Sequence, residues 1–127
     1  MLMPVFKGLV VRGDGRGRKL GFPTANIQTE SSGDKLKEQA LGVYVARIKI
    51  GGDIKKGIAN IGKRPTFNKD GKISLEVHIP GFEGDLYGQT VTVELIQHLR
   101  NEIEFGSVLE FKKQISVDVE LALKYNA

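Results

Sequence analysis

The chain has no cysteine, no tryptophan, two histidines and only 7% aromatic residues. Without cysteine there is neither a disulfide nor a thiolate metal site, which suits a reducing compartment. No apolar run approaches the ~20 residues of a membrane helix, and the opening "MLMPVF" is too short for a signal peptide. These absences predict a cytoplasmic protein with no membrane partner. The scarcity of aromatics argues against a groove for single-stranded nucleic acid, which stacks bases on aromatic side chains.

What is present is an ordinary globular composition, with 40% hydrophobic and 27% charged residues in 127. That length predicts one domain, residues 1–127, with a single core. The net charge of +4 favours an anionic partner. Arg12, Arg16, Arg18 and Lys19 lie in or beside the glycine cluster that follows the first apolar run.

Alternation makes the chain mainly β. Val5–Arg12 reads as a first strand, and "FPTANI" as extended because proline disfavours helix for itself and its predecessor. In "GVYVARIKI", Tyr44, Ala46, Ile48 and Ile50 share one face, and Gly51-Gly52 turns a hairpin into "IKKGIANIG". In "ISLEVHI", Ile73, Leu75, Val77 and Ile79 face one way and Ser74, Glu76 and His78 the other. "QTVTVELI" is a further strand. The polar segment from Glu30 to Gln39 reads as an exposed connection with a turn at Gly33.

A single helix is expected at the C-terminus. Ser107 and Glu110 have capping-box spacing, and Val108, Phe111, Ile115, Val119 and Ala122 follow on one face, which reads as core. About six short strands with glycine corners suggest a closed or nearly closed antiparallel barrel, with a helix-backed open sheet as the alternative.

The stretch "GDGRGRKLGFPTAN" raises the question of function. Its unshielded amides and cations suit a polyphosphate. It lacks the G-K-[ST] of a P-loop, and a strand follows it where a dinucleotide fingerprint needs a helix. As a whole, Val10-Val11, Gly13, Gly17-Arg18 and Leu20 to Asn26 resemble the signature of the riboflavin kinase (flavokinase) family. "GVYVARIKI…GIANIGKRPTF", "LEVHIPGFEGDLYG" and "LRNEIEF" resemble that family's later blocks in the same order, from about Gly8 to the final helix.

The resemblance implies a six-stranded antiparallel, Greek-key-like barrel with one C-terminal helix, catalysing ATP-dependent phosphorylation of riboflavin to FMN. It implies riboflavin, FMN, ATP and ADP as partners and magnesium or another divalent ion as cofactor. Thr24 and Asn26 resemble the metal and phosphate site, and Glu76 the general base for the ribityl 5′-hydroxyl. Gly13, Gly15, Gly17, Arg18 and Lys19 resemble the loop over the nucleotide phosphates, with Ile79 and Tyr87 lining the ATP site. Arg100, Glu102 and Phe105 resemble flavin-binding positions. Asn101 and Ile103 depart from the family pattern, in which Asp and a basic residue are expected. His78 and His98 read as structural or surface residues, not a metal pair.

The many bacterial relatives that convert FMN to FAD carry an upstream nucleotide-transfer domain, for which 127 residues leave no room. A free-standing monomeric kinase and the C-terminal part of a bifunctional FAD synthetase are both compatible with the sequence. A flavin-binding relative without catalysis and a small basic nucleic-acid-binding barrel are the competing readings.

Overall fold

The computed structural model describes residues 4–12, 24–29, 36, 38–63, 73–82 and 84–125. Six strands, β1 (Val5–Val11), β2 (Ala25–Thr29), β3 (Gly42–Ile50), β4 (Asp53–Lys63), β5 (Ile73–His78) and β6 (Thr90–Arg100), precede one helix among these residues, α1 (Val108–Lys124). The sheet closes on itself in the order β1-β2-β5-β4-β3-β6, with every neighbour antiparallel. Consecutive β3, β4 and β5 lie side by side and β6 returns beside β3, which is a Greek key. The open-sheet alternative is therefore discarded.

The alternating faces emerge as read. Tyr44, Ala46 and Ile48 of β3 and Leu75 and Val77 of β5 meet Phe6, Val10, Ile27 and Val93 inside the barrel. The β3–β4 hairpin turns at Gly51-Gly52, with Ile50 paired to Asp53 and Gly51 at φ 59°, a region that glycine enters without steric cost. A second apolar cluster lies outside the barrel wall, where Val43, Val45 and Ile58 receive Ile115, Val119 and Ala122 of α1.

β6 is longer than the sequence suggests and carries two irregularities of register. Ala46 pairs with Leu95 but Val45 with Gln97, and Tyr44 pairs with His98 but Val43 with Arg100. Each shift inserts one extra residue on β6, Ile96 and then Leu99, and both pack against the outer cluster beneath α1. Unbroken alternation would leave His98 opposite Val43. The first bulge moves His98 to Tyr44, where the rings meet edge-on at 4.9 Å and Nε2 donates to the Leu41 carbonyl at 3.2 Å, and the second shifts the pairing once more. They bring Arg100 to Val43 instead. Gly42 permits this close approach: it sits at φ 137°, and a Cβ there would collide with the Arg100 carbonyl oxygen.

Three local expectations change. Leu36 is only 5% exposed and belongs to the barrel core, so the segment around it is not wholly an exposed connection; residues 30–35, including the turn expected at Gly33, lie outside the described residues. Val108 is exposed, because the first turn of α1 extends beyond the barrel wall, and only from Phe111 onward is the helix face covered. The cap is also not the reciprocal box. Ser107 Oγ accepts from the Glu110 amide at 3.2 Å, but the Glu110 carboxylate accepts from Gly106 N–H at 3.0 Å. At the far end, Lys56 donates to the Tyr125 carbonyl oxygen, satisfying an acceptor beyond the last turn.

Candidate active site

Antiparallel pairing places directly opposed residues on the same face of a sheet. Arg100 opposes Val43, Val43 opposes Asn60, Asn60 opposes Glu76, and Glu76 opposes Asn26. Together these five make one continuous row around the outer face, across β6, β3, β4, β5 and β2. Residues separated by up to 74 positions in sequence thus become lateral neighbours through backbone pairing alone.

Two cavities flank this row. The larger, about 210 Å³, is walled by Val10, Val11, Ala25, Asn26, Val77 and Ile79 and closed by Phe82, Leu86 and Tyr87. The smaller, about 100 Å³, lies between the barrel wall and the start of α1. Its apolar side is Val43, Ile58, Ile103, Phe105, Phe111 and Ile115, and its polar side is Thr24, Asn60, Glu76, His78, Arg100 and Glu102. Thr24 lines both. The Asn26–Glu76 pair stands between them, with Asn26 in the wall of the larger and Glu76 in the wall of the smaller.

The residues marked out in the sequence divide cleanly. Ile79 and Tyr87 meet Thr24 and Asn26 in the larger cavity, and Arg100, Glu102 and Phe105 meet Glu76 in the smaller. Gly13, Gly15, Gly17, Arg18 and Lys19 lie outside the described residues. Tyr87 is not core: it is half exposed, its ring lies 4.1 Å beneath the Arg12 guanidinium, and its amide donates to Asp85 Oδ1 at 2.8 Å. Ile79 is both, buried in the barrel core and forming part of the cavity wall.

Glu102 reaches its position because β4 carries Gly62. A Cβ at residue 62 would collide with the Glu102 carboxylate, so the missing side chain is the space that the carboxylate occupies. Arg100 is anchored on its other flank by Asp118 of α1, and its guanidinium carbon lies 5.8 Å from the centre of the Phe105 ring. Phe105 in turn meets Phe111 edge-on at 5.4 Å. Ile103, one of the two departures from the family pattern, is half exposed on the rim and extends the apolar side.

Several site residues were not marked out in the sequence. Asn60 had a legible signal, being a polar residue that interrupts the apolar run from Ile58 to Ile61. Asp118 had one too, since it interrupts the apolar face formed by Phe111, Ile115 and Ala122. That face reads as core by spacing, yet Phe111 and Ile115 also form the cavity wall. His78, which reads as a structural or surface residue in the sequence, is 9% exposed at the same wall.

For a metal, the described residues hold no cluster of three or more His, Asp or Glu with ligating geometry. Magnesium needs hard oxygen donors, often only one or two from protein with phosphates and water completing the shell. The Thr24 hydroxyl and Asn26 carboxamide in the wall of the larger cavity, with Glu76 on the adjoining strand, match that limited demand. The donor set fits.

Comparison with known proteins identifies the family. A family model described as riboflavin kinase matches residues 3–126. The bifunctional riboflavin kinase/FMN adenylyltransferase of Haemophilus influenzae is 44% identical over 116 residues, covering 91% of this chain and 36% of that protein. The enzyme of the same name from Bacillus subtilis is 35% identical over 121 residues, covering 94% and 37%. The chain thus spans little more than a third of the length of these relatives. A crystal structure described as a macrolide-efflux protein from Streptococcus pneumoniae shares the fold with a TM-score of 0.84 at 34% identity, covering 96% of this chain and 39% of that one. The riboflavin kinase of Trypanosoma brucei, at 21% identity, shares the fold with a TM-score of 0.67, covering 97% and 79%. Because the family match spans the barrel, the helix and both walls of the paired cavities, the chain belongs to the riboflavin kinase family.

Proposed function

We propose that this domain, residues 1–127, transfers the γ-phosphoryl group of ATP to the ribityl 5′-hydroxyl of riboflavin, releasing FMN and ADP. The observation that supports this most is that Thr24 lines both cavities, with Glu76 in the wall of the smaller and Asn26 opposite it in the wall of the larger. The larger cavity takes the nucleotide, with Tyr87 and Ile79 against its apolar parts. The smaller takes the flavin, whose flat ring suits the aromatic and aliphatic wall and whose polar edges suit Arg100 and Glu102.

Phosphoryl transfer asks for in-line placement, charge neutralisation and one oriented hydroxyl. The Glu76 carboxylate accepts a hydrogen bond from the 5′-hydroxyl. As that oxygen bonds to the γ-phosphorus, the bond to the β-phosphate bridge breaks and the hydroxyl proton passes to Glu76. In a loose transition state the proton leaves late, so orienting the hydroxyl is a large part of the role of Glu76. Thr24 and Asn26 hold magnesium or another divalent ion through their side-chain oxygens, and when bound that ion supplies positive charge to the phosphate oxygens. The glycine segment with Arg18 and Lys19 covers the phosphates.

The proposal covers the kinase reaction alone, on cytoplasmic metabolites and without nucleic acid. No helix among the described residues is long and apolar enough to cross a membrane. The deciding experiment incubates the protein with riboflavin, ATP and magnesium and follows FMN by chromatography. Glu76→Gln is expected to keep riboflavin binding and lose at least ~100-fold in kcat, the range of general acid–base catalysis. Absence of FMN across several nucleotides and divalent metals would refute the function, and near-normal turnover by the variant would remove Glu76 from the mechanism.

A further inference from the structure

We infer that Asp118 is a positioning residue for the flavin, holding the Arg100 guanidinium in a fixed plane at the wall of the smaller cavity. The inference rests on the reading that riboflavin occupies that cavity. Asp118 is 1% exposed on the face of α1 that otherwise packs apolar residues against the barrel. A carboxylate there is costly unless fully paired.

The pairing is complete. Arg100 Nε lies 3.0 and 3.1 Å from the two Asp118 oxygens, Nη2 lies 2.8 Å from Oδ2, and Gln114 Nε2 donates to Oδ1 at 3.0 Å. Nη1 donates to the Asn101 carbonyl at 3.0 Å. Every nitrogen of the guanidinium is thereby tied, and its plane is set before any ligand arrives. The Arg100 side chain keeps 16% exposure at the wall it shares with Glu102 and Phe105.

Anchoring α1 does not by itself call for this pair. A buried ion pair is often replaced by apolar residues of similar volume with no loss of stability. What apolar residues would not supply is a rigid N–H donor beside an aromatic wall. Asp118 also neutralises Arg100, so this end of the cavity offers directed hydrogen bonds without surplus positive charge. That suits an uncharged heteroaromatic ring with carbonyl and ring-nitrogen acceptors, and it leaves phosphate recognition to the other cavity.

The test compares kinetics and thermal stability of wild type, Asp118→Asn, and the double variant Arg100→Met with Asp118→Leu. Asp118→Asn is expected to raise the riboflavin KM at least ~10-fold, the equivalent of one charge-assisted hydrogen bond, while the ATP KM changes by no more than about twofold. The double variant removes both charges, so it stays folded if the single one does not. It is expected to regain wild-type Tm without regaining the riboflavin KM. An unchanged riboflavin KM in either variant overturns the inference. So does a parallel rise of both KM values together with a fall in Tm, since that pattern marks a purely structural role. If wild type itself makes no FMN, the proposed function fails and this inference with it. FMN production by wild type with indifferent Asp118 variants sinks the positioning role alone.

Discussion

A glutamate on the outer face of a barrel strand is ordinarily surrounded by water. Glu76 is half-buried because Asn60 and Asn26 flank it at equal height and the residues before α1 rise beside it. Its outward direction was legible from the strand alternation of Leu75 and Val77; its neighbours were not, because strand pairing is non-local. Tyr44 shows the opposite case, a residue whose inward direction was legible and whose chemistry depends on burial. Its hydroxyl donates to the Ala40 carbonyl, and burial raises its pKa above the ordinary 10.0. The folded state then holds the phenolic proton at a pH where the unfolded chain has released it. Stability is therefore full below pH 10 and falls as pH climbs past it. Tyr44→Phe is expected to cost about 1 kcal/mol near neutral pH through the lost hydrogen bond. It should also flatten the alkaline decline in denaturant melts, and equal declines in both proteins would contradict this origin.

Among the elements, α1 and β6 show most plainly what local sequence reveals and what it leaves hidden. The helix start was legible because the Ser107 cap is a contact within one turn. The β6 bulges were not, because an inserted residue exists only relative to the strand opposite. Without them Arg100 would lie beyond the row that contains Glu76, and the "LRNEIEF" motif would be detached from the site. The cap bears on the cavity as well, since Phe111 lies in the first turn and braces Phe105. Ser107→Ala is expected to lose about 1 kcal/mol of stability, the usual value of an N-cap hydroxyl. Fraying of that turn should raise the riboflavin KM more than the ATP KM. A variant with the expected stability loss but equal effects on both substrates would detach the helix start from flavin binding.

At the scale of the whole molecule, two cavities whose described walls share Thr24 give a binding test independent of turnover. A ligand bound only by the folded state at 100 times its Kd stabilises by about 2.7 kcal/mol. ADP with magnesium and FMN are each expected to raise Tm, and the two together to raise it further. Chelating the metal should abolish most of the ADP shift and spare most of the FMN shift, because in the proposed site Thr24 and Asn26 would reach the nucleotide phosphates through the ion. An FMN shift that vanished with the metal would place the flavin in the wrong cavity.

By itself the sequence determined the β alternation, the hairpin at Gly51-Gly52, the capped terminal helix and the family blocks, because each is a periodic or contiguous pattern readable within a few residues. Tertiary structure decided between the closed barrel that the sequence suggested and the open sheet, and it alone decided that Asn60 stands beside Glu76, that Asp118 grips Arg100 and that Gly62 makes room for Glu102. Those facts depend on registers between distant strands and on the seating of a helix against the barrel wall, and no local window of residues contains them.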